Sequence, residues 1–276
     1  MTPKPKNLKK LKEAAKLGDA TAQFELAEYL WSKPDSKNSQ IAAGLYRAAA
    51  EQGHLEAQYT LANLFHVYPR QYIGEEESIE WFKKAAAQGH VNSMYELGCC
   101  YSHGMYMEPV MEEAEKWFQM AADRGHARAQ YELGLYHAKQ EKHEKAAEWY
   151  KKAADRNDAD AQFELSLCNL KGQGLTLNND EGVKWMQKAG ALGNVSAQFA
   201  LGLIFSVKQD HRRALNWWLK AAKQQHIGAI EKVEHAYKNG LGTKKNLAEA
   251  QKWRDRLLFL QNPKTNLLDI LKKWDV

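Results

Sequence analysis

The sequence predicts an all-α fold: a right-handed superhelical α-solenoid of antiparallel helix pairs, about seven pairs with a capping helix at each end. Three observations predict it. Two short motifs alternate along the chain, the interval from the second motif to the next copy of the first never changes, and within each motif large apolar and small residues recur at spacings of three and four. A pair of such helices cannot bury both of its apolar faces alone, so each pair has to stack on its neighbours.

The first motif reads Gly-x-x-x-Ala-Gln-aromatic-x-Leu. It stands as GDATAQFEL from Gly18, GHLEAQYTL from Gly53, GHARAQYEL from Gly125 and GNVSAQFAL from Gly193. GHVNSMYEL at Gly89 and NDADAQFEL at Asn157 are close variants, and QHIGAIEKV at Gln225 is a degenerate seventh copy. The second motif reads small-x-x-Trp-aromatic-x-x-Ala-Ala, as in SIEWFKKAA and AAEWYKKAA. Trp81, Trp117, Trp149, Trp185 and Trp217 each stand eight residues before the next first motif. Length varies only inside a repeat. Leu97 to Trp117 spans 20 residues and Leu133 to Trp149 only 16, a difference of about one helical turn.

Each motif is predicted to be a helix. In the first, Leu97, Leu133, Leu165 and Leu201 form the buried ridge, and Gly98, Gly134 and Gly202 let neighbouring helices approach closely. In the second, Ala146, Trp149, Tyr150 and Ala153 share one side while Glu148, Lys151 and Lys152 lie outside. Gly18, Gly53, Gly89, Gly125 and Gly193 fall where a second helix ends, a position that favours a left-handed residue. The runs Lys171–Leu175 and Asn239–Gly242 read as flexible loops, and Asn179-Asp180 and Asn246 as helix-starting caps. Residues 1–17 read as a capping half repeat, 18–260 as the repeat solenoid, and 261–276 as a final capping helix that covers the last pair with Leu267, Leu268, Ile270, Leu271 and Trp274.

The Ala-Gln-aromatic-x-Leu-Gly helix, the Gly-x-Gly loop in LKGQGLTLNNDEGVKWMQKAG and the WYKKAA helix resemble Sel1-like repeats, a tetratricopeptide-related family of α-solenoids, over about residues 10 to 260. The steadier 34-residue period of tetratricopeptide repeats does not account for the alternation of 36 and 32 residues. The resemblance implies a protein-binding scaffold or adaptor, often bacterial. The alternative it offers is a bacterial immunity protein that neutralises a toxin. A cysteine-rich branch of the family ties each helix pair with a disulfide; Cys99, Cys100 and Cys168 lack the paired spacing of that branch, which removes most support for an enzyme reading.

Composition narrows the function classes further. The 39 basic and 34 acidic residues give a net charge of +5 spread over nearly every segment, as expected of solvated helix faces and not of a nucleic-acid binder. Three irregularly spaced cysteines suit neither a disulfide framework nor a zinc site, so buried reduced thiols, no metal and no cofactor are expected. The start of the chain has no apolar run of signal-peptide type and no stretch reaches the length of a membrane span, which predicts a cytoplasmic protein. His54, His90 and His126 recur in register, but equivalent residues of adjacent repeats stand on the order of 10 Å apart, too far for one ion. His143-Glu144 lacks the second histidine of a metalloprotease helix, and the glutamates Glu25, Glu96, Glu132 and Glu164 are spaced for salt bridges, not for acid–base work.

By analogy with other helical-pair solenoids, the first helices line the concave face and carry the partner. Three columns run along them. The aromatic column is Phe24, Tyr59, Tyr95, Tyr131, Phe163 and Phe199. Four residues on come Glu28, Asn63, Leu135, Leu167 and Leu203, with Cys99 between them, and three further come Trp31, His66 and Leu170. The early part of this face is mixed, whereas Leu135, Phe163, Leu167, Leu170, Phe199 and Leu203 predict an apolar patch for a protein or peptide partner.

Overall fold

Each repeat begins where a polar side chain meets the free amide groups of a first helical turn. Asp19, Asp158 and Asn194 do this in the usual way, each accepting from the backbone N–H three residues on at 2.6–2.8 Å. The first six repeats each end in a left-handed residue. At the first such joint the His54 N–H bonds to the Ala49 carbonyl and the Gly53 N–H to that of Ala50, the Schellman pattern, with Gly53 at φ +88°. Where glycine is missing from this position, Asn157 and Gln225 adopt the same left-handed backbone, at φ +63° and +67°.

The computed structural model describes residues 7–33, 35–67, 74–104 and 108–261. These hold fifteen helices and no strand. An opening helix α1 (Leu8–Lys16) precedes seven pairs: α2 (Ala20–Trp31) with α3 (Ser36–Glu51), α4 (Leu55–Val67) with α5 (Glu75–Ala87), α6 (Val91–His103) with α7 (Met111–Asp123), α8 (Ala127–Lys139) with α9 (His143–Ala154), α10 (Ala159–Lys171) with α11 (Asn179–Ala191), α12 (Val195–Val207) with α13 (His211–Lys223) and α14 (Ile227–Asn239) with α15 (Leu247–Gln261). From α1 to α7, and again from α9 to α15, successive helices pack on one another, most extensively within a pair. That is the contact pattern of an α-solenoid. The predicted final helix lies outside the described residues.

The chain divides into two compact units, Met1–Leu133 and Gly134–Val276. In the first, α1 packs Leu8, Leu11, Ala14 and Ala15 against Ala22, Leu26 and Tyr29 of α2. It stands where a preceding repeat would place its second helix. In the second unit one core joins Met186, Leu201, Phe205, Trp218, Ile230 and Val233. In both, a helical glycine on a first helix receives a ring from the second helix of its own repeat. A Cβ on Gly98 would lie 2.4 Å from Phe118, one on Gly134 2.4 Å from Tyr150, and one on Gly202 2.2 Å from Trp218. No larger residue fits without displacing a packed ring.

The glutamine of the first motif ties successive pairs together. Gln23, Gln58, Gln130, Gln162 and Gln198 are buried, and each donates its amide to the carbonyl eight residues earlier, that of Ala15, Ala50, Ala122, Ala154 or Gly190, in the last turn of the preceding helix. The other end of the amide is closed by a second glutamine at the end of the repeat: Gln52 donates to Gln23, Gln88 to Gln58 and Gln224 to Gln198 at 2.8–2.9 Å. Gln130 and Gln162 lack a second glutamine, because Arg156 and Leu192 occupy that position, and the Oε1 of each is buried without a hydrogen bond.

The four-residue difference between repeats falls in the turns and not in a helical turn. α8, α10, α12 and α14 are all thirteen residues long, while the connections at 140–142 and 208–210 are three residues and those at 172–178 and 240–246 seven. The long connections are fixed by close contact. Gly174 and Gly242 are left-handed, at φ +71° and +74°, and a Cβ on them would sit 2.1–2.2 Å from the carbonyl oxygens of His143 and His211. They are points of backbone contact with the start of the preceding second helix, not flexible hinges. The cap of α11 is Asn178, one residue earlier than the sequence suggested, with its Oδ1 accepting from the Glu181 N–H; Asn246 caps α15 as predicted.

Candidate partner-binding surface

The aromatic column of the first helices is half-buried and forms the joint between repeats. Phe24 stacks on His54 at 4.7 Å, Tyr95 on His126 at 4.6 Å and Phe199 on His226 at 4.4 Å between ring centroids, while Tyr59 meets His90 at 4.4 Å with the rings tilted by 47°. The histidines are caps: each Nδ1 accepts the N–H three residues on, from Ala57, Ser93, Ala129 and Ala229, at 3.1–3.2 Å. A ring that accepts through Nδ1 is neutral and carries its proton on Nε2. Sequence reading missed this role. The signal was present, since the same repeat position is Asp19, Asp158 and Asn194 in the other copies, all standard caps.

Burial lowers the pKa of His90 and His126 from the ordinary histidine value, with nearby Glu56 partly opposing the effect at His90. It raises the Tyr59 and Tyr95 hydroxyls. The thiols of Cys99, Cys100 and Cys168 are all free and pushed by burial up to about 11, 12 and 11, which makes them inert at neutral pH. Of the acidic column, Glu132 pairs with Arg128 within its own helix at 3.5 Å, while burial raises Glu96 and Glu164.

The remaining candidates separate by unit. In Met1–Leu133, Glu28 accepts from the Tyr46 hydroxyl at 2.6 Å, Asn63 donates to the Tyr59 carbonyl of its own helix at 3.1 Å, and Trp31 lies half-buried against Tyr46. The Arg128 guanidinium lies over the Tyr131 ring at 4.5 Å. The His66 side chain lies outside the described residues. In Gly134–Val276, Phe163, Leu167, Leu170 and Phe199 pack against the core, and Leu170 meets Gly182 of α11, where an added Cβ would be 2.7 Å from its Cγ. Leu135 and Leu203 remain exposed, at 36% and 38%, at equivalent positions of α8 and α12. Leu167 lies half-buried on the helix between them. Val207, one turn beyond Leu203, is 81% exposed, and α12 contains no charged residue.

Among the described residues no three His, Cys, Asp or Glu side chains gather as metal ligands, and no helix is long and apolar enough to cross a membrane. A comparison with curated proteins finds no match. Among solved structures, the chain is similar to c5321, a protective antigen of uropathogenic Escherichia coli with an SLR fold, at 25% identity and a TM-score of 0.74. That match covers 90% of this chain and 55% of the antigen, so the chain spans about half its length. A Sel1 repeat protein from Oxalobacter formigenes is 24% identical with a TM-score of 0.55, covering 97% of this chain and 90% of its own. The immunity protein Pa5087 from Pseudomonas aeruginosa matches at 18% identity and a TM-score of 0.43 over 87% of this chain and 81% of its own. The family model for the Sel1 repeat matches seven times, at 20–54, 55–90, 91–126, 127–158, 159–194, 195–226 and 234–253. With those repeats accounting for most of its length, the chain belongs to the Sel1 repeat family.

Proposed function

We propose that this protein is a non-catalytic scaffold that holds a protein or peptide partner on the first helices of residues 134–276. Sel1 repeat proteins commonly serve as protein-interaction scaffolds and are generally non-catalytic. The observation that carries the reading is the solvent-exposed pair Leu135 and Leu203, flanked by Val207 on an uncharged helix, where the equivalent side chains of the first unit, Glu28 and Asn63, are bonded internally. Apolar side chains at the same position of two repeats, kept out of the core, are what a partner desolvates on binding. The buried free thiols favour a reducing compartment such as the cytoplasm.

Leu135→Ser with Leu203→Ser tests this without touching the core. Loss of partner capture with unchanged helicity, together with protection of α8, α10 and α12 from hydrogen exchange in the wild-type complex, supports the scaffold. Undiminished capture by the folded double variant refutes this placement. A tight one-to-one complex with a single toxic enzyme would identify the partner as a toxin and the protein as its immunity factor.

A further inference from the structure

The second helices of residues 134–276 carry a feature that partner binding on the first helices does not use. On four successive second helices, a cation three residues after a tryptophan lies over its ring. Lys152 is 3.7 Å from the Trp149 centroid, Lys188 3.7 Å from Trp185, Lys220 4.0 Å from Trp217, and the Arg256 guanidinium 5.5 Å from Trp253. The rings are half-buried. Trp217 reaches back over Gly190 of α11, where an added Cβ would be 3.1 Å from the indole, so this ring fills the seam between neighbouring second helices. The row ends in a cleft lined by Glu249, Lys252, Trp253 and Arg256. In the first unit Lys84 lies over Trp81 at 3.8 Å, but the row breaks on either side of it, where the equivalent positions are Ala48 and Met120.

Three other cations on these helices are already neutralised: Lys184 pairs with Glu181, Arg213 with Asp210 and Lys252 with Glu249. Lys152, Lys188 and Lys220 are exposed, and among the described residues no carboxylate lies within ion-pair distance of them. Stacking on tryptophan holds each ammonium in place, which reduces the rotamer entropy lost when an anion arrives. Charge favours an acidic visitor as well. Residues 134–276 hold 24 basic and 16 acidic residues, a net of +8, against 15 and 18, a net of −3, in residues 1–133.

We infer that this row of tryptophan-backed cations is a second docking track, for an acidic segment of a protein partner in polyproline II conformation with a carboxylate at every third residue. Side chains of neighbouring second helices touch, as Trp217 does at Gly190, which places equivalent residues on the order of 10 Å apart. A polyproline II chain has three residues per turn and rises about 9 Å per turn, so carboxylates at every third residue share one face at nearly that spacing. A regular β-strand would point alternate ones away.

The test is fluorescence anisotropy with a labelled Glu-Pro-Pro repeat peptide, a peptide of the same composition with the glutamates clustered, and a single-stranded oligonucleotide of equal charge. The spaced peptide is expected to bind most tightly. Lys152→Gln, Lys188→Gln and Lys220→Gln combined should weaken it by about tenfold or more. Lys145→Gln, Lys151→Gln and Lys223→Gln, an equal loss of charge off the row, should weaken it by about twofold. The Leu135→Ser, Leu203→Ser variant should bind it normally, which separates this track from the first-helix surface. Absence of binding, equal binding of the clustered peptide or of the oligonucleotide, or equal weakening by the two triple variants would each overturn the proposal.

Discussion

The two units are built from the same repeat but use its polar and apolar positions differently. In Met1–Leu133 the surface columns are turned inward: Glu28 is held by Tyr46, Asn63 by its own helix, and Phe24, Tyr59 and Tyr95 by the capping histidines of the next repeat. In Gly134–Val276 the same columns leave Leu135 and Leu203 in solvent, and the second helices line up Lys152, Lys188 and Lys220 over tryptophan with no carboxylate partner among the described residues. The unit nearer neutrality bonds Glu28 and Asn63 internally. The strongly basic unit leaves both apolar and cationic groups available, and it is the one to which both proposed surfaces are assigned. A repeat scaffold can thus separate stability from recognition, because the residues that stack one pair on the next are not those that face solvent.

The largest expected effect tests whether packing is equally tight in both units. Gly202→Ala should destabilise by about 3 kcal/mol and Gly98→Ala by about 2 kcal/mol, since the added Cβ meets the larger, closer Trp218 ring in one case and Phe118 in the other. Urea unfolding measures both. Equal or negligible losses would show that the rings move aside, and that the glycines are not what sets the approach of the helices.

A gain of stability is expected at a glutamine pair that the second unit lacks. Leu192→Gln places a donor where Gln88 and Gln224 stand in other repeats, and should stabilise by about 1 kcal/mol by closing the buried Gln162 Oε1. Thermal unfolding of the variant reads the change. An unaltered or lowered midpoint would mean that this oxygen is already satisfied.

The smallest effect concerns pH and the first unit. His90 and His126 have folded-state pKa values lowered by burial, so the unfolded chain takes up protons at the higher pH. The stability contributed by the neutral rings is complete above the ordinary histidine value of about 6.5 and is lost as pH falls from there through the folded-state values. Asparagine caps the same position at Asn194, so His90→Asn with His126→Asn should flatten the pH dependence in this window. A slope unchanged by the double variant would remove the histidines as its source.

Much of the architecture was legible in the chain, and the buried ridge is the clearest case: Leu97, Leu133, Leu165 and Leu201 are all at or below 2% exposure. The surface was legible only in part. Leu170 shares a helical face with Leu167 and Leu203 in projection, yet it fills the space that Gly182 leaves on the second helix of its repeat. The aromatic column was recognised as a column, but its stacking on capping histidines depends on residues about thirty positions away.

The repeat number, the helix pairs and the inward ridge follow from local periodicity, and periodicity is a property of the chain alone. Satisfaction and exposure are not. Gln58 is closed by Gln88 while Gln162 meets Leu192, and nothing within either first motif distinguishes the two. Glu28 and Leu135 occupy one position of the repeat, with Tyr46 and Tyr150 at one position of the next helix, yet Glu28 accepts from Tyr46 and is half-buried while Leu135 stays 36% exposed. Those outcomes belong to the tertiary structure, because a hydrogen bond or a covered ring requires a partner that the neighbouring helix must bring within a few ångströms.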